Sequence, residues 1–438
     1  MSIPQAAHVF ERIAALEGDV LAALRELVAI PSVAGDAAAA HAAAARVETL
    51  CRDAGCAVQR WSAGGNPAVF AHVAGPPGAP TVLFYGHYDV QPPEPLEAWT
   101  TPPFEPTVRD GALWGRGAGD NKGQFIAHVF ALRALAEAGG CPLGVKLLIE
   151  GEEEIGSPTL AALVEAHRGE LACDLAVTAD GPYHADGHPL LILGVRGLLF
   201  LEVTATGAAR DLHSGSWGGT APTPARTLAR ALASLWREDD RVAVPGFHAG
   251  VRPPGELELA LAQRLPGHAD APAGAAAAWR ALMFEPNLNI AGLAAGHTGP
   301  GLRTIVPHRA VARLDARLVA DQDPDAVYAA LAAHLGSRGL QVERLAAVPP
   351  SRTPPDTPLL EPVRRALQAA WQRPPLVQPC MGGTTPDFVF TRILGVPSLL
   401  VPYAPHDMHH HAPNERMELA ALYRGVRTSA TICLQLVS

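Results

Sequence analysis

Residues 81–90 read TVLFYGHYDV. Val82, Leu83, Phe84 and Tyr85 follow one another without polar alternation, and then, past Gly86, come His87 and Asp89. A short apolar run of this length, closed by a turn residue, is how a strand buried on both faces of a sheet reads. Three other stretches have the same character: Val145–Ile149, Leu175–Thr178 and Ser398–Val401. Helical stretches such as Gln124–Ala138 and Pro158–Ala166 stand between them, and residues 8–30 and 37–54 are also helical by spacing. Strands alternating with helices predict an α/β domain: a mostly parallel sheet with helices on both faces.

The middle of the chain differs. Leu198–Thr206 and Leu340–Leu345 have strand character, Pro222–Trp236 and Pro324–Leu335 helical character. Val311–Val319 alternates apolar residues with Arg313, Asp315 and Arg317, as a half-exposed strand does. Two strand–helix–strand units predict a smaller α+β domain inserted into the first. The expected division is a catalytic domain in two parts, 1–195 and 349–438, around an inserted lid and dimerisation domain, 196–348. Segment 237–300, rich in Ala, Pro and Gly, yields no assignment.

A chain of 438 residues is long enough for two such domains. Its 34 Lys plus Arg against 43 Asp plus Glu give a net charge of -9. That argues against a nucleic-acid partner, which needs a basic face. The six cysteines form no CxxC pair, so neither a disulfide framework nor a thiolate metal site is expected. With no signal-peptide start and no long apolar run, the expected location is cytoplasmic and away from membranes.

In open α/β sheets ligands gather beyond the carboxyl ends of the strands. TVLFYG is followed by His87 and Asp89, VKLLIE by Glu152, Glu153 and Glu154, LAVTA by Asp180. LLVPY leads to the cluster PHDMHHHAPNE with His406, His409, His410 and His411. Asp120 lies in the loop GRGAGDNKG. A dinucleotide reading of that loop is poor: its spacing is GxGxG, no strand ends directly before it, and Asp120 would repel a pyrophosphate. Imidazoles and carboxylates together make a mixed N/O donor set suited to Zn²⁺ or another borderline first-row metal. An aspartate can bridge two ions. Consecutive glutamates at a strand end can supply one ligand and one free base. Spacing alone assigns neither role within Glu152–Glu154, nor chooses among the four histidines.

GHYDVQP (86–92), LWGRGAGDNKG (113–123), EGEEEIGS (150–157), DLHSG (211–215) and HAPNE (411–415) occur in that order. Together they resemble the di-zinc peptidase family of carnosinase-like dipeptidases, aminoacylase, carboxypeptidases and succinyl-diaminopimelate desuccinylase. The resemblance implies two divalent ions per chain, with zinc expected and manganese or cobalt as substitutes. It places His87 and Asp180 on one metal, Glu154 and His411 on the other, and Asp120 between them, ahead of a cis peptide to Asn121. It makes Glu153 the general base, and Asp89 the carboxylate behind His87. His213 becomes an oxyanion donor from the partner subunit of a homodimer. Arg317, Gly383 and Thr384 match residues that bind the substrate carboxylate. The expected function is cleavage of dipeptides or short peptides by a water that Glu153 activates. The alternative is removal of an acyl group from an N-acyl amino acid by the same machinery. A non-catalytic metal-binding relative is disfavoured, because it would have no need of the base.

Overall fold

The computed structural model describes residues 3–266 and 275–437. Its large sheet has eight strands in the spatial order Ala57–Trp61, Ala68–Val73, Gly144–Glu150, Thr81–His87, Leu175–Thr178, Ser398–Leu400, Leu190–Ile192 and Leu376–Gln378. From Gly144–Glu150 to Ser398–Leu400 neighbours run parallel, while the first two strands are antiparallel additions. Thr81–His87 sits at the middle. Val82 and Phe84 enter the core on one face, Leu83 and Tyr85 the cluster on the other. Both faces are covered, so the run carries no polar alternation. Helices Ile3–Ala15, Glu17–Val28, Ala37–Asp53, Lys122–Glu137 and Leu419–Gln435 fill the first face, and Leu160–Ala166 lies against the second.

The helical spacing of residues 8–30 belongs to two helices, which meet at Leu16. Helix Lys122–Glu137 is buried on nearly every side, so its polar residues need partners inside the protein. Lys122 donates to the Leu27 and Ile30 carbonyls at 2.9 and 2.8 Å, closing the end of helix Glu17–Val28. Gln124 donates to the Gly119 carbonyl and accepts from the Tyr403 N–H. At Gly86 a Cβ would come 2.5 Å from Phe125, so only glycine lets the central strand approach this helix.

The small sheet lies between the two parts of the large one in the chain. Its order is Asn287–Ala295, Arg309–Leu318, Gly197–Thr206, Gln341–Val348, all antiparallel. Helices Pro224–Ala233 and Pro324–Gly336 cover one face and share its core. The opposite face carries the charged side of the alternation in Arg309–Leu318. Strand Asn287–Ala295 and helices Glu256–Gln263 and Ala275–Phe284 come from the segment that the sequence left unassigned. The part 267–274 of that segment lies outside the described residues.

His128 is fully buried, stacked on Phe84 at 4.3 Å with Nδ1 2.9 Å from Ser429 Oγ. Burial pushes its pKa down to about 3. The unfolded chain takes up this proton as pH falls below about 6.5, while the fold refuses it until about pH 3. Stability from His128 is therefore complete above pH 6.5 and lost as pH falls through that interval. The variant His128→Phe should show a stability slope between pH 6 and 4 shallower by about 1.4 kcal/mol per pH unit. Denaturant titrations of the two proteins at matched pH measure it; equal slopes would contradict the buried neutral imidazole.

Candidate metal centre

The parallel strands end together, and their following residues meet. His87 closes strand Thr81–His87, the turn Glu153–Ile155 follows Gly144–Glu150, and Asp180 lies two residues past Leu175–Thr178. His87, Asp120 and Glu154 each offer an atom within 4.8 Å of the others. His411 Nε2 stands 3.1 Å from Asp120 Oδ2 and 3.2 Å from Glu154 Oε2. It comes from a long loop after Ser398–Leu400, not from the strand end itself, and has a positive φ of 58°. Asp180 joins through Asn121, whose Nδ2 donates to Asp180 Oδ1 at 3.1 Å and to the Ala179 carbonyl at 2.8 Å. The peptide from Asp120 to Asn121 is cis.

The three consecutive glutamates have different surroundings. Glu152 accepts from the Asn66 N–H at 3.1 Å and from the Thr159 hydroxyl, which fastens the loop. Glu154 Oε2 accepts from Gln91 Nε2 at 3.0 Å and faces His411. Glu153 Oε2 lies 4.0 Å from His87 Nε2, and among the described residues no hydrogen bond holds its carboxylate. Asp89 links both halves: its Oδ1 is 3.3 Å from His87 Nδ1, and its two oxygens accept from the Glu153 and Glu154 N–H groups at 3.2 and 3.0 Å. One carboxylate thus orients the imidazole and the glutamate turn.

Charge in this pocket is unbalanced. Burial, with Asp180, Glu154 and Asp120 nearby, pushes Glu153 well above the usual carboxylate range despite His87. Burial and the Asp120 charge push Asp180 up to about 6. Hydrogen bonds to Asp120 and Glu154 push His411 up to about 10. Asp120 is itself held low: burial opposes this, and the facing His411 and His87 overcome it. His87 Nε2 is buried without a hydrogen bond, although Asp120 Oδ1 is only 3.3 Å away. An orphaned imidazole nitrogen facing crowded carboxylates is what cations between them would satisfy. The donor set therefore fits divalent metals.

Three supporting residues escaped the sequence reading, though they lie in its motifs. Asn121 ties Asp180 to the loop, and its Oδ1 accepts from the His87 N–H at 3.4 Å. Gln91 holds Glu154. Glu415, at the end of HAPNE, accepts from Gly117, Gly119 and Asp120 N–H groups at 2.9–3.0 Å and from Arg116 Nη1 at 2.8 Å. A glutamate directly after a proline-asparagine pair gives no sign of this; only the fold brings it beneath the Asp120 loop.

Arg317, Thr384 and His411 line a cleft with Glu153, Glu154 and Gln91. Arg317 Nη1 donates to Thr384 Oγ1 at 3.0 Å, and its Nε is 3.3 Å from Asp315. The Gly383 carbonyl accepts from the Arg196 N–H at 3.1 Å. His213 is exposed, accepts from the Gly215 N–H through Nδ1 at 3.0 Å, and does not line this cleft.

Strand ends and loops that bring two imidazoles and several carboxylates to one pocket fit a metal-dependent hydrolase. The family model described as Peptidase family M20/M25/M40 matches residues 83–435. The chain belongs to that family and is a metallopeptidase. It is 28% identical over 396 residues to the Beta-Ala-His dipeptidase of Rattus norvegicus, covering 84% of this chain and 80% of the relative. To the Cys-Gly metallodipeptidase of Schizosaccharomyces pombe it is 26% identical over 410 residues, with 85% and 83% covered. The M20 family metallo-carboxypeptidase of Sulfolobus solfataricus superposes with a TM-score of 0.89 at 30% identity, over 96% of this chain and 99% of that one. Human carnosine dipeptidase 1 superposes with a TM-score of 0.81 at 26% identity, over 99% of each chain.

Replacing Glu415 by Gln keeps its shape but leaves Arg116 without a counter-charge and turns one acceptor into a donor. Glu415→Gln should lower metal affinity by about 10- to 100-fold, the usual effect of losing a partner behind the ligands. Metal retained after dialysis against a graded chelator series reads this. Retention equal to the unaltered protein would show that the loop holds Asp120 without Glu415.

Proposed function

We propose that this chain hydrolyses the peptide bond of dipeptides and short peptides at a centre of two divalent ions. The ligands in this reading are His87, Asp120, Glu154, Asp180 and His411, with Asp120 shared. The carrying observation is the sorting of the glutamates: Glu154 is held toward His411, while Glu153 keeps a free carboxylate beside the ligands. Divalent cations bound there would acidify a water and polarise the scissile carbonyl. Glu153 removes the proton of the attacking water and delivers it to the departing amine. Asp89 fixes the His87 ring and, through two N–H groups, the position of that base. Arg317 and Thr384, with the Gly383 backbone, receive the substrate carboxylate at the other end of the cleft. Zinc suits the mixed nitrogen and oxygen donors best, with manganese or cobalt able to replace it. The dipeptidase names of the relatives favour peptides over N-acyl amino acids. Hydrolysis of a dipeptide panel set against N-acyl amino acids decides between them.

In the same reading residues 196–348 form a lid and dimerisation domain, and 1–195 with 349–438 the catalytic domain. The active form is a homodimer in which the partner's His213 donates to the developing oxyanion. Its exposure and its absence from the cleft of its own chain support a role across the dimer. Six free cysteines suit the reducing cytoplasm, and no helix among the described residues is long and apolar enough to cross a membrane.

Glu153→Gln should keep its metals and lose at least about a thousandfold in turnover, with metal analysis and dipeptide assays run on one preparation. Activity near that of the unaltered enzyme would rule Glu153 out as the base. A second experiment addresses the dimer. Glu153→Gln and His213→Ala chains are each inactive alone, but mixing them at equal amounts after dissociation should restore about a quarter of full activity, since half the dimers then hold one complete site. A mixture no more active than its parts would contradict donation across the dimer.

A further inference from the structure

Helices Glu256–Gln263 and Ala275–Phe284 lie between strands of the small sheet in the chain, yet they pack on the large one. The first contacts edge strand Leu376–Gln378, and the second packs beside the first. Ala262, Leu265, Trp279, Met283 and Phe284 form one apolar cluster with Cys380, and Leu282 packs against it. A buried ion pair from Glu258 to Arg352 fastens the first helix to the catalytic part of the chain. Arg352 also lies over the Phe284 ring at 5.6 Å. This cluster accounts for Cys380, which is buried and donates only to the Met381 carbonyl at 3.3 Å.

The second helix ends against the loop that carries Thr384. A Cβ on Gly382 would stand 3.1 Å from Leu282 Cδ1, so Leu282 rests directly on the loop backbone. Just past the second helix, the Glu285 carbonyl accepts from Arg196 Nη2 at 2.9 Å, and the Arg317 carbonyl accepts from the same nitrogen at 3.3 Å. The Arg196 N–H donates to the Gly383 carbonyl at 3.1 Å. A single buried guanidinium residue therefore joins the helix pair, the Arg317 strand and the Gly382–Thr384 loop.

We propose that this helix pair is a buttress that sets the carboxylate end of the substrate cleft, with Leu282 and Arg196 as positioning residues for Arg317 and Thr384. It rests on the reading of Arg317 as the carboxylate anchor. The cleft's far wall joins the small sheet, which carries Leu198, Arg317 and Val348, to the loop of Thr384, and neither alone fixes the distance between Arg317 and the Thr384 hydroxyl. Leu282 rests on the loop at Gly382, and Arg196 holds the Gly383 and Arg317 carbonyls. The substrate class favoured by this wall is a peptide with a free C-terminal carboxylate close to the scissile bond.

The test compares a free dipeptide with the same dipeptide carrying a C-terminal amide. Arg317→Ala should raise KM for the free dipeptide at least about tenfold and leave the amide nearly unchanged. Leu282→Ala should reproduce that split in weaker form, about three- to tenfold in KM for the free dipeptide, with kcat and metal content retained. Leu282→Met should restore the original KM, and Leu282→Val provides a milder opening should the alanine variant fold poorly. A folded Leu282→Ala or Leu282→Val enzyme with unchanged KM, or with both substrates weakened alike, overturns the buttress while leaving the Arg317 reading intact. Failure of Arg317→Ala to separate the substrates overturns that reading, and the buttress with it.

Discussion

Four carboxylates, those of Asp120, Glu153, Glu154 and Asp180, crowd a largely buried pocket that the His87 and His411 imidazoles face, and their repulsion is the constraint the surrounding structure answers. No apolar scaffold could hold such a group together, because burying unpaired charge costs far more than a domain's net stability. The fold answers by fixing these residues from behind, two of them with neutral amide donors. Asp120 is carried on a loop whose N–H groups converge on Glu415, Asp180 is reached by the Asn121 amide, and Glu154 by Gln91. The two amides hold carboxylate oxygens, and Glu415 holds the backbone that carries Asp120. What remains unsatisfied is an inward deficit of positive charge, which divalent cations would offset.

The parallel sheet makes this arrangement possible. Adjacent parallel strands end at the same edge, so residues far apart in the chain arrive within a few ångströms. The apolar runs around Thr81–His87, Gly144–Glu150 and Leu175–Thr178 announced that edge, because strands buried on both faces leave polar residues only beyond their ends. His87, Glu154 and Asp180 were therefore legible as candidates before any geometry. His411 was not legible in the same way. It sits well past its strand, within four histidines, and its place depends on a loop held by Asn414 donating to the Ala98 carbonyl at 3.0 Å and accepting from the Thr100 N–H at 2.9 Å. Such contacts span about three hundred residues of chain and leave no periodicity.

The unread segment shows a different limit. Strand Asn287–Ala295 is mostly exposed along one edge of the small sheet, so alternation is weak and its Gly and Ala residues hide it. Helices Glu256–Gln263 and Ala275–Phe284 bury their apolar residues against an edge of the other sheet, in a cluster completed by Cys380 and Leu376. Nothing local encodes that partner. The same is true of Glu152, Glu153 and Glu154. Chemically identical in the chain, they differ only because Asn66, His87 and Gln91 arrive from other segments.

Arg317 brings these threads together, since its guanidinium reaches Thr384, on the loop after Leu376–Gln378 of the large sheet, while its strand belongs to the small sheet. A contact that bridges two sheets is sensitive to any rotation of one against the other, and a long flexible side chain cannot by itself resist it. The protein meets this with a short, dense connection at the crossing. Gly194 and Gly197 admit the backbone of residues 350–352 closer than any side chain would allow, and Arg196 between them donates to both sides. The crossing is thus tied by backbone contacts next to Arg317. The charged face of strand Arg309–Leu318 beyond it stays open to solvent. In the proposed reading, the carboxylate end of a short peptide meets the part of the cleft that these contacts tie down, and positioning there is what hydrolysis of a short substrate depends on.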